Sequence, residues 1–149
     1  MPPLHDKLIL QAEDDENDVI FLKYVFKSAG IPNPLVAVAD GQEVIDYLSG
    51  TGAFSDRLAH PIPTLIFLDL KMPKINGLEV LEKLKADPEL RSIPVVMLTS
   101  SNESADVIKS YELGANSYIV KPVDIDNFYQ AIKELGLYWL IQNQTAKAV

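Results

Sequence analysis

Cysteine is absent from this 149-residue sequence, and long apolar runs are missing as well. Without cysteine, disulfide bonds, thiolate catalysis and cysteine-ligated zinc sites are excluded. No apolar run approaches the roughly 18 residues that a membrane-spanning helix needs. Residues 1–6 also lack the basic start and the apolar core of a signal peptide. We therefore expect a cytoplasmic protein with no membrane among its partners.

Positive charge is scarce in the chain. The sequence has 13 lysines and arginines against 21 aspartates and glutamates, which gives a formal net charge of −8. A surface that binds nucleic acid usually carries a basic patch, so this charge argues against a nucleic-acid partner. It favours proteins or metal ions as partners, and a general contribution of acidity to solubility is the alternative interpretation.

The length and composition predict one domain. Hydrophobic residues make up 48% of the chain. A chain of this length buries about 68–70% of the surface that it exposes when unfolded, which is enough for a core that needs no covalent cross-link. We therefore expect residues 1–149 to form a single domain.

One short segment is the centre of the predicted fold. Residues 65–68 are four consecutive apolar residues, and Asp69 follows them directly. An uninterrupted apolar run is typical of a strand that is covered on both faces, as in a parallel sheet with helices above and below. In open α/β sheets, ligands bind beyond the carboxyl ends of the strands. Asp69 is therefore predicted to have a chemical role.

Strand-like and helix-like segments alternate along the whole chain. Predicted strands cover 7–12, 35–39, 65–69, 95–98 and 117–120; predicted helices cover about 16–29, 42–48, 78–86 and 103–113, with a fifth from 124. No internal repeat is present. This alternation predicts an α/β fold, a doubly wound sandwich around a five-stranded parallel sheet with five helices.

Local signals predict where some of these segments begin and what they bury. Asn102 is predicted to cap the fourth helix and Asp124 the fifth. Residues 50–63, which contain glycines and prolines but little periodicity, predict a surface loop. In the fifth helix a core-facing stripe is predicted from four residues at helical spacing, namely Phe128, Ile132, Leu135 and Trp139.

Polar residues follow four of the predicted strands. Glu13 and Asp14 follow the first, Asp69 the third, Thr99 the fourth and Lys121 the fifth. Three carboxylates about 5 Å apart would repel by roughly 3 kcal/mol per pair at an effective dielectric near 20, which a divalent cation compensates. An oxygen-only set of ligands suits a hard ion, so Mg²⁺ is the predicted cofactor.

An aspartate nucleophile beside Mg²⁺ indicates phosphoryl transfer. In this hypothesis Asp69 attacks phosphorus in line, while Mg²⁺ on Asp14 withdraws charge from the equatorial oxygens. Lys121 and the Thr99 hydroxyl hold the other oxygens. The product is an aspartyl phosphate, and no general base is needed because carboxylates are ionised at neutral pH.

At these residues the sequence resembles the receiver domain of two-component response regulators, of the stand-alone chemotaxis-regulator type. The resemblance covers about residues 7–135 and rests on four motifs: Glu13-Asp14-Asp15, Asp69-Leu70-Lys71-Met72-Pro73 with Gly77, Leu98-Thr99-Ser100-Ser101, and Ser117-Tyr118-Ile119-Val120-Lys121-Pro122. It implies a flavodoxin-like fold with strand order 2-1-3-4-5. Residues 136–149 are then expected to extend the last helix.

The resemblance also implies roles for individual residues. Asp69 is expected to accept a phosphoryl group from a sensor histidine kinase or phosphotransfer protein, and the output is a contact with a downstream protein. The expected Mg²⁺ ligands are Glu13 through water, Asp14, Asp69 and the backbone carbonyl of Lys71. The other implied roles are phosphate binding by Thr99, Ser100 and Lys121, switching by Thr99 and Tyr118, a structural role for Gly77, and a cis peptide bond before Pro122.

Three features depart from the chemotaxis-type pattern. Gln11 interrupts an apolar strand, the 50–63 loop is long, and residues 138–141 form an aromatic and apolar tail. The loop and the tail resemble the small regulators that partner bacterial phytochrome kinases. The excess of apolar residues predicts a homodimer or partner surface on the fourth helix, fifth strand, fifth helix and tail.

Two rival functions remain open. A phosphatase similar to haloacid dehalogenases also uses an aspartate nucleophile and Mg²⁺, but it resembles a pattern with a second aspartate two residues later, where this chain has Lys71. A phosphorylation-independent adaptor is the other rival. We expect a switch that is phosphorylated and dephosphorylated rather than a turnover enzyme.

Overall fold

The structure, a computed structural model, describes residues 7–122 and 124–134. In these residues five strands alternate with five helices: β1 Ile9–Ala12, α1 Glu16–Ser28, β2 Leu35–Val38, α2 Gly41–Ser49, β3 Leu65–Leu68, α3 Gly77–Ala86, β4 Val95–Thr99, α4 Ser104–Glu112, β5 Ser117–Val120 and α5 Ile125–Glu134. The strands form one parallel sheet in the order β2-β1-β3-β4-β5. The predicted fold and strand order are therefore confirmed.

Apolar side chains cover both faces of the sheet. On one face, residues such as Leu10, Ile66 and Met97 pack with α2 and α3. On the other face, Ile9 and Phe67 pack with α1 and α5. Each strand sends alternate residues to the two faces, so β1 and β3 are buried along their whole length. This two-sided burial is the reason that the strands have uninterrupted apolar sequences.

Gln11 lies within β1 and is 1% exposed. Its Nε2 donates to the backbone carbonyl of Asp18 across 3.4 Å, a long hydrogen bond. The polar residue that interrupts the first strand is therefore buried, and its amide points at the first turn of α1.

Acidic and amide side chains cap the helices in most places. Asp15, Asp40 and Asn76 accept backbone N–H groups at the starts of α1, α2 and α3. Asp124 Oδ1 accepts from the N–H of Asn127 at 2.7 Å, as predicted for α5. These caps satisfy backbone donors that have no partner within the helix.

The predicted Asn102 cap of the fourth helix is wrong. Helix α4 begins at Ser104, and its N-cap is Glu103, which makes no side-chain cap bond. The buried Ser101 hydroxyl bonds near this helix start instead, donating to Asp106 and accepting from the N–H of Glu103. Local hydrogen bonds of Ser101 thus stand where a side-chain cap by Asn102 was predicted.

The predicted 50–63 surface loop is held against the end of α2. It includes a short 3-10 turn, Gly52–Phe54. The Arg57 guanidinium donates to the carbonyls of Tyr47 at 2.7 Å, Leu48 at 2.6 Å and His60 at 3.0 Å. Arg57 therefore satisfies carbonyls at the C-terminus of α2 and closes the loop onto it.

Part of the predicted C-terminal stripe falls outside the described residues. Phe128 is fully buried in the core, as expected. The described part of the chain does not include the side chain of Ile132. It also leaves out the other predicted C-terminal features, namely Leu135, Trp139, the tail 138–141 and the helical extension 136–149. Among the described helices, none combines the length and apolar content of a membrane span.

Candidate functional site

The polar residues meet because four parallel strands end at one edge of the sheet. Ala12 of β1 is in register with Leu68 of β3, and the Asp69 N–H donates to the Ala12 carbonyl at 3.1 Å. The residues after these two strands are therefore neighbours. On the other side, the Lys121 N–H donates to the Thr99 carbonyl at 2.8 Å, which makes Thr99 the last residue of β4 rather than the residue after it.

Three carboxylates form the acidic part of the site. One oxygen each from Glu13, Asp14 and Asp69 lies within 4.8 Å of the others. Glu13 and Asp69 are buried, whereas Asp14 is exposed. The Asp69 carboxylate also accepts the N–H of Lys71, an exposed residue, at 3.2 Å. The predicted carboxylate cluster is therefore present at the edge of the sheet.

The Lys121 ammonium is bonded to three carboxylates. Its Nζ lies 2.8 Å from Asp18 Oδ2 and 3.1 Å from Asp69 Oδ2, and it also donates to Glu13 Oε1. Burial lowers the pKa of Lys121, but these carboxylates outweigh burial and raise it above its usual value. Lys121 therefore supplies a fixed positive charge beside Asp69.

Glu13 is the most deeply buried acid of the site. Burial raises the pKa of Glu13 to about 7, with a further rise from the Asp69 charge, while the Lys121 ammonium opposes both. The cluster therefore has an excess of negative charge in a partly dry space. Its donors are all oxygens at short range, which fits a hard divalent cation better than a thiolate- or imidazole-binding metal.

Gly77 lets α3 begin against the end of β3. A Cβ at this position would collide with the backbone carbonyl of Asp69. The Gly77 N–H donates to the Leu70 carbonyl at 2.8 Å, and Asn76 caps the helix through the Glu79 N–H at 3.0 Å. The predicted structural role of Gly77 thus has a steric reason.

Thr99, Ser101 and Tyr118 are linked by hydrogen bonds. Thr99 is fully buried, and its hydroxyl accepts the Ser101 N–H at 3.4 Å. The half-buried Tyr118 donates its hydroxyl to the Ser101 carbonyl at 2.8 Å, and burial raises the pKa of Tyr118. Ser100 is exposed beside them. The two predicted switch residues are therefore connected through the loop that follows β4.

Lys121 and Pro122 are joined by a cis peptide bond, the isomer that the resemblance implied.

Asp18 is a site residue that the motifs did not indicate. It lies in the first turn of α1, where a carboxylate is expected simply for the helix dipole. Asp14 precedes the N-cap Asp15 and lies outside the helix, so helical spacing gave no signal that links it to Asp18.

Comparisons with known proteins all match the same family. A model of the response regulator receiver domain matches residues 9–133. Response regulator Rcp1 of Synechocystis sp. is 37% identical over 134 residues, which are 90% of this chain and 89% of that protein. A crystal structure of the Mn²⁺-bound form of Rcp1 has a TM-score of 0.76 at 36% identity and covers 90% of this chain and 94% of its own.

Two further solved structures are similar along most of the chain. The bacteriophytochrome response regulator RtBRR is 48% identical with a TM-score of 0.81, and the match covers 89% of this chain and 80% of that one. The phosphorylated cyanobacterial phytochrome response regulator RcpA is 36% identical with a TM-score of 0.76, covering 91% and 94%. The fold, the carboxylate cluster and the similar proteins thus all indicate the same family.

Proposed function

This chain belongs to the response regulator receiver domain family, and we propose that it is a stand-alone phosphorylation switch with Asp69 as its phosphoryl acceptor. The observation that carries the proposal is the convergence on Asp69. The buried Asp69 carboxylate lies 3.1 Å from the Lys121 ammonium and within 4.8 Å of the Glu13 and Asp14 carboxylates. We extend the proposal to residues 1–149 as one receiver domain with its core over about 7–135.

Receiver domains bind Mg²⁺ or Mn²⁺ at an acidic pocket, and a Mn²⁺-bound relative of this chain is known. The proposed ligands here are Asp14, Asp69, the Lys71 backbone carbonyl and, through water, Glu13. The oxygen-only donor set supports this assignment. When bound, the ion supplies positive charge that offsets the carboxylates and the incoming phosphoryl oxygens.

In the proposed reaction an Asp69 oxygen forms a bond to phosphorus as the bond from phosphorus to the donor's imidazole nitrogen breaks. Lys121 donates to one phosphoryl oxygen, and Thr99 and Ser100 supply further donors. The electron pair of the broken bond stays on the imidazole of the kinase or phosphotransfer protein. No proton is transferred to Asp69 in this step.

The proposed phosphodonor is a sensor histidine kinase of the phytochrome type, or a phosphotransfer protein between such a kinase and this chain. Support comes from the names of the similar proteins, which include bacteriophytochrome and cyanobacterial phytochrome response regulators. We place the protein in the cytoplasm, where the kinase domains of such receptors act. A function as a switch, not as a turnover enzyme, belongs to the same proposal.

The proposed output surface is the face formed by α4, β5 and α5, together with the C-terminal tail. Ile108 and Tyr111 of α4 and Val120 of β5 are exposed by 58%, 49% and 39%. Tyr118 lies on β5 and bonds to the loop after Thr99, so a change at the phosphoryl group reaches this face. A homodimer or a downstream protein target is the proposed occupant.

The test is phosphorylation by acetyl phosphate with Mg²⁺, read by intact mass. We expect the protein to gain one phosphate and Asp69→Asn to gain none. The control is Asp15→Asn, whose side-chain oxygen can still accept the Asn17 N–H that caps α1, and which removes a nearby charge without touching Asp69. Uptake by the Asp69→Asn variant would contradict the acceptor assignment.

The same experiment separates the rivals. No uptake by the unmodified protein would favour a phosphorylation-independent adaptor. Repeated turnover of several phosphate esters would favour a phosphatase, although Lys71 stands where the second aspartate of such enzymes is expected.

A further inference from the structure

The β3–α3 loop, residues 69–76, carries two groups of the proposed site, the Asp69 carboxylate and the Lys71 backbone carbonyl. Where the loop leaves β3, the Lys71 N–H donates to the Asp69 carboxylate at 3.2 Å. Where it enters α3, the Gly77 N–H donates to the Leu70 carbonyl at 2.8 Å. These two bonds fix the base of the loop. Residues 72–75, farther along the loop, take part in neither of them.

The start of α2 lies against this farther part of the loop. The Gly41 N–H donates to the Pro73 carbonyl across 3.4 Å, a long hydrogen bond. Next to it, Asp40 forms an ion pair with Lys74 at 3.4 Å. Gly41 is buried, and a Cβ at its position would collide with the backbone carbonyl of Ile75. The two segments therefore touch through backbone atoms, which cannot rotate away as a side chain can.

The loop backbone is strained where α2 touches it. Lys74 has a φ of 69°, which lies in the left-handed region that residues with a side chain rarely adopt. The Ile75 N–H donates to the Pro73 carbonyl at 2.9 Å, which closes a three-residue turn around Lys74. Strained backbone persists only where the surrounding structure holds it. The contacts of α2 lie on both sides of this turn, at Pro73 and at Ile75.

Gly41 is suited to its position by its small size. It is the first residue of α2, and its φ lies outside the left-handed region, so its backbone conformation does not require glycine. Helix propensity does not favour glycine there either, because alanine is the better helix former. The close approach of the Ile75 carbonyl is therefore the feature that requires a residue without a side chain.

On the basis of the proposed function, we infer that Gly41 is a positioning residue for the proposed metal site. It lets the start of α2 hold the β3–α3 loop in the shape that presents the Lys71 carbonyl. A displacement of Ile75 has to be taken up within the six residues 71–76, because the bond between Gly77 and Leu70 fixes both ends of that stretch. Mg²⁺ demands near-ideal octahedral geometry, whereas Ca²⁺ accepts a flexible one. Such a displacement therefore weakens Mg²⁺ binding more than Ca²⁺ binding.

The test compares Gly41→Ala with Gly52→Ala by calorimetric titration with Mg²⁺ and with Ca²⁺. Alanine is strained at Gly52 because φ is 60°, but its Cβ would meet no atom within 4 Å. The control therefore loses stability without a collision. In Gly41→Ala we expect the Mg²⁺ dissociation constant to rise about tenfold, the lower end for outer partners of a metal site. The Ca²⁺ constant should rise by about twofold or less, and Gly52→Ala should change neither by more than about twofold.

A second measurement uses the unmodified protein and needs no variant that folds. Hydrogen exchange of the Gly41 N–H, which bonds to the loop, is compared by NMR with that of the Glu43 N–H, which bonds to Asp40 at 2.8 Å within the same helix start. Mg²⁺ slows both where it stabilises the whole chain. It should slow Gly41 further, because the loop that accepts its hydrogen bond becomes fixed.

Three outcomes would overturn the inference. The first is a Mg²⁺ dissociation constant that is unchanged in Gly41→Ala or rises no more than the Ca²⁺ constant. The second is an equal rise for Mg²⁺ in Gly52→Ala. The third is equal slowing of the Gly41 and Glu43 N–H groups by Mg²⁺, which decides the question if Gly41→Ala does not fold.

Failure of this inference is distinguishable from failure of the proposed function. Neither measurement uses phosphorylation, so uptake of phosphate by Asp69→Asn would refute the acceptor assignment and leave the role of Gly41 standing. If the unmodified protein binds no Mg²⁺, the proposed ligands and the inference are both wrong. If it binds Mg²⁺ and Gly41→Ala binds it equally well, only the inference is wrong.

Discussion

Single atoms set the geometry around Asp69. The Lys121 ammonium lies 3.1 Å from the Asp69 carboxylate, and Gly77, which has no side chain, lies against the Asp69 backbone carbonyl. The absence of a side chain at Gly77 lets the first turn of α3 contact the carbonyl of Asp69 itself. The backbone that carries the proposed acceptor carboxylate is therefore shaped by a glycine eight residues later.

Gly77→Ala is expected to destabilise the protein. Alanine is ordinarily favoured over glycine in a helix by about 1 kcal/mol. Here the added Cβ would collide with the Asp69 carbonyl, and such overpacking costs about 1–3 kcal/mol. Urea unfolding should therefore show a lower free energy of unfolding. Glu82→Ala, at an exposed position of the same helix, should stay within about 0.5 kcal/mol. A stability gain in Gly77→Ala would show that the contact is not tight.

At the scale of helices and loops, charged side chains bond to the free backbone groups at helix ends. Asp40 does this at the start of α2, and Arg57 does it at the end of the same helix through the carbonyls of Tyr47 and Leu48. Helix α2 is short, so each terminal bond is a large part of its stability. Both ends of α2 depend on a charged side chain. The side chain at the N-terminal end, Asp40, is a carboxylate that loses its charge in acid.

Asp40→Ala is expected to lower the free energy of unfolding by about 1 kcal/mol at neutral pH, the usual contribution of an N-cap. The Glu43 N–H, which donates to Asp40 at 2.8 Å, lowers the pKa of Asp40, and Lys74 at 3.4 Å contributes less. Because the folded-state pKa is below the unfolded one, the stabilisation by the charge is present above the unfolded pKa of about 3.9 and is lost as pH falls through the folded value.

The measurement is urea unfolding of both proteins from neutral pH to about pH 2.5. The difference between unmodified protein and Asp40→Ala should shrink across the acid range. Asp40→Asn is the matched control, because it keeps a capping oxygen without the charge and should lose little at neutral pH. A difference that is constant with pH would contradict a contribution from the Asp40 charge.

At the scale of the whole molecule, the site is built from residues at the ends of the sheet strands. Residues that follow β1 and β3 supply the three clustered carboxylates, so an ion bound there would hold these two strand ends together. A ligand that binds only the folded chain stabilises all of it. Without an ion, the crowded carboxylates repel one another and Lys121 offsets only part of that charge.

Mg²⁺ is therefore expected to raise the thermal stability. At a free concentration about 100 times the dissociation constant, the gain is about 2.7 kcal/mol. For a protein of this size that is a rise of about 5–10 °C in Tm. Scanning calorimetry with Mg²⁺ and then with excess EDTA measures it.

Asp14→Asn is the companion variant. It removes a proposed ligand, so Mg²⁺ should raise its Tm little, and in EDTA it should be at least as stable as the unmodified protein because one repelling carboxylate is gone. Glu82→Gln is the charge control and should respond to Mg²⁺ like the unmodified protein. An equal Mg²⁺ response in Asp14→Asn would rule out Asp14 as a ligand.

The amino-acid sequence by itself determined the alternation of strands and helices, the strand ends on which the polar residues stand, and the cap at Asp124. These features follow from local patterns, because apolar runs, helical spacing and capping residues act over a few positions. The resemblance of its motifs to receiver domains, which the family model bears out, also needed no coordinates.

Only the tertiary structure decided which side chains touch across segments. Asp18 bonds to Lys121, more than a hundred positions away, and Arg57 closes a loop that its sequence marked simply as irregular. In each case the partner is chosen by distance and burial in the folded chain, and neither quantity is encoded in the neighbouring residues.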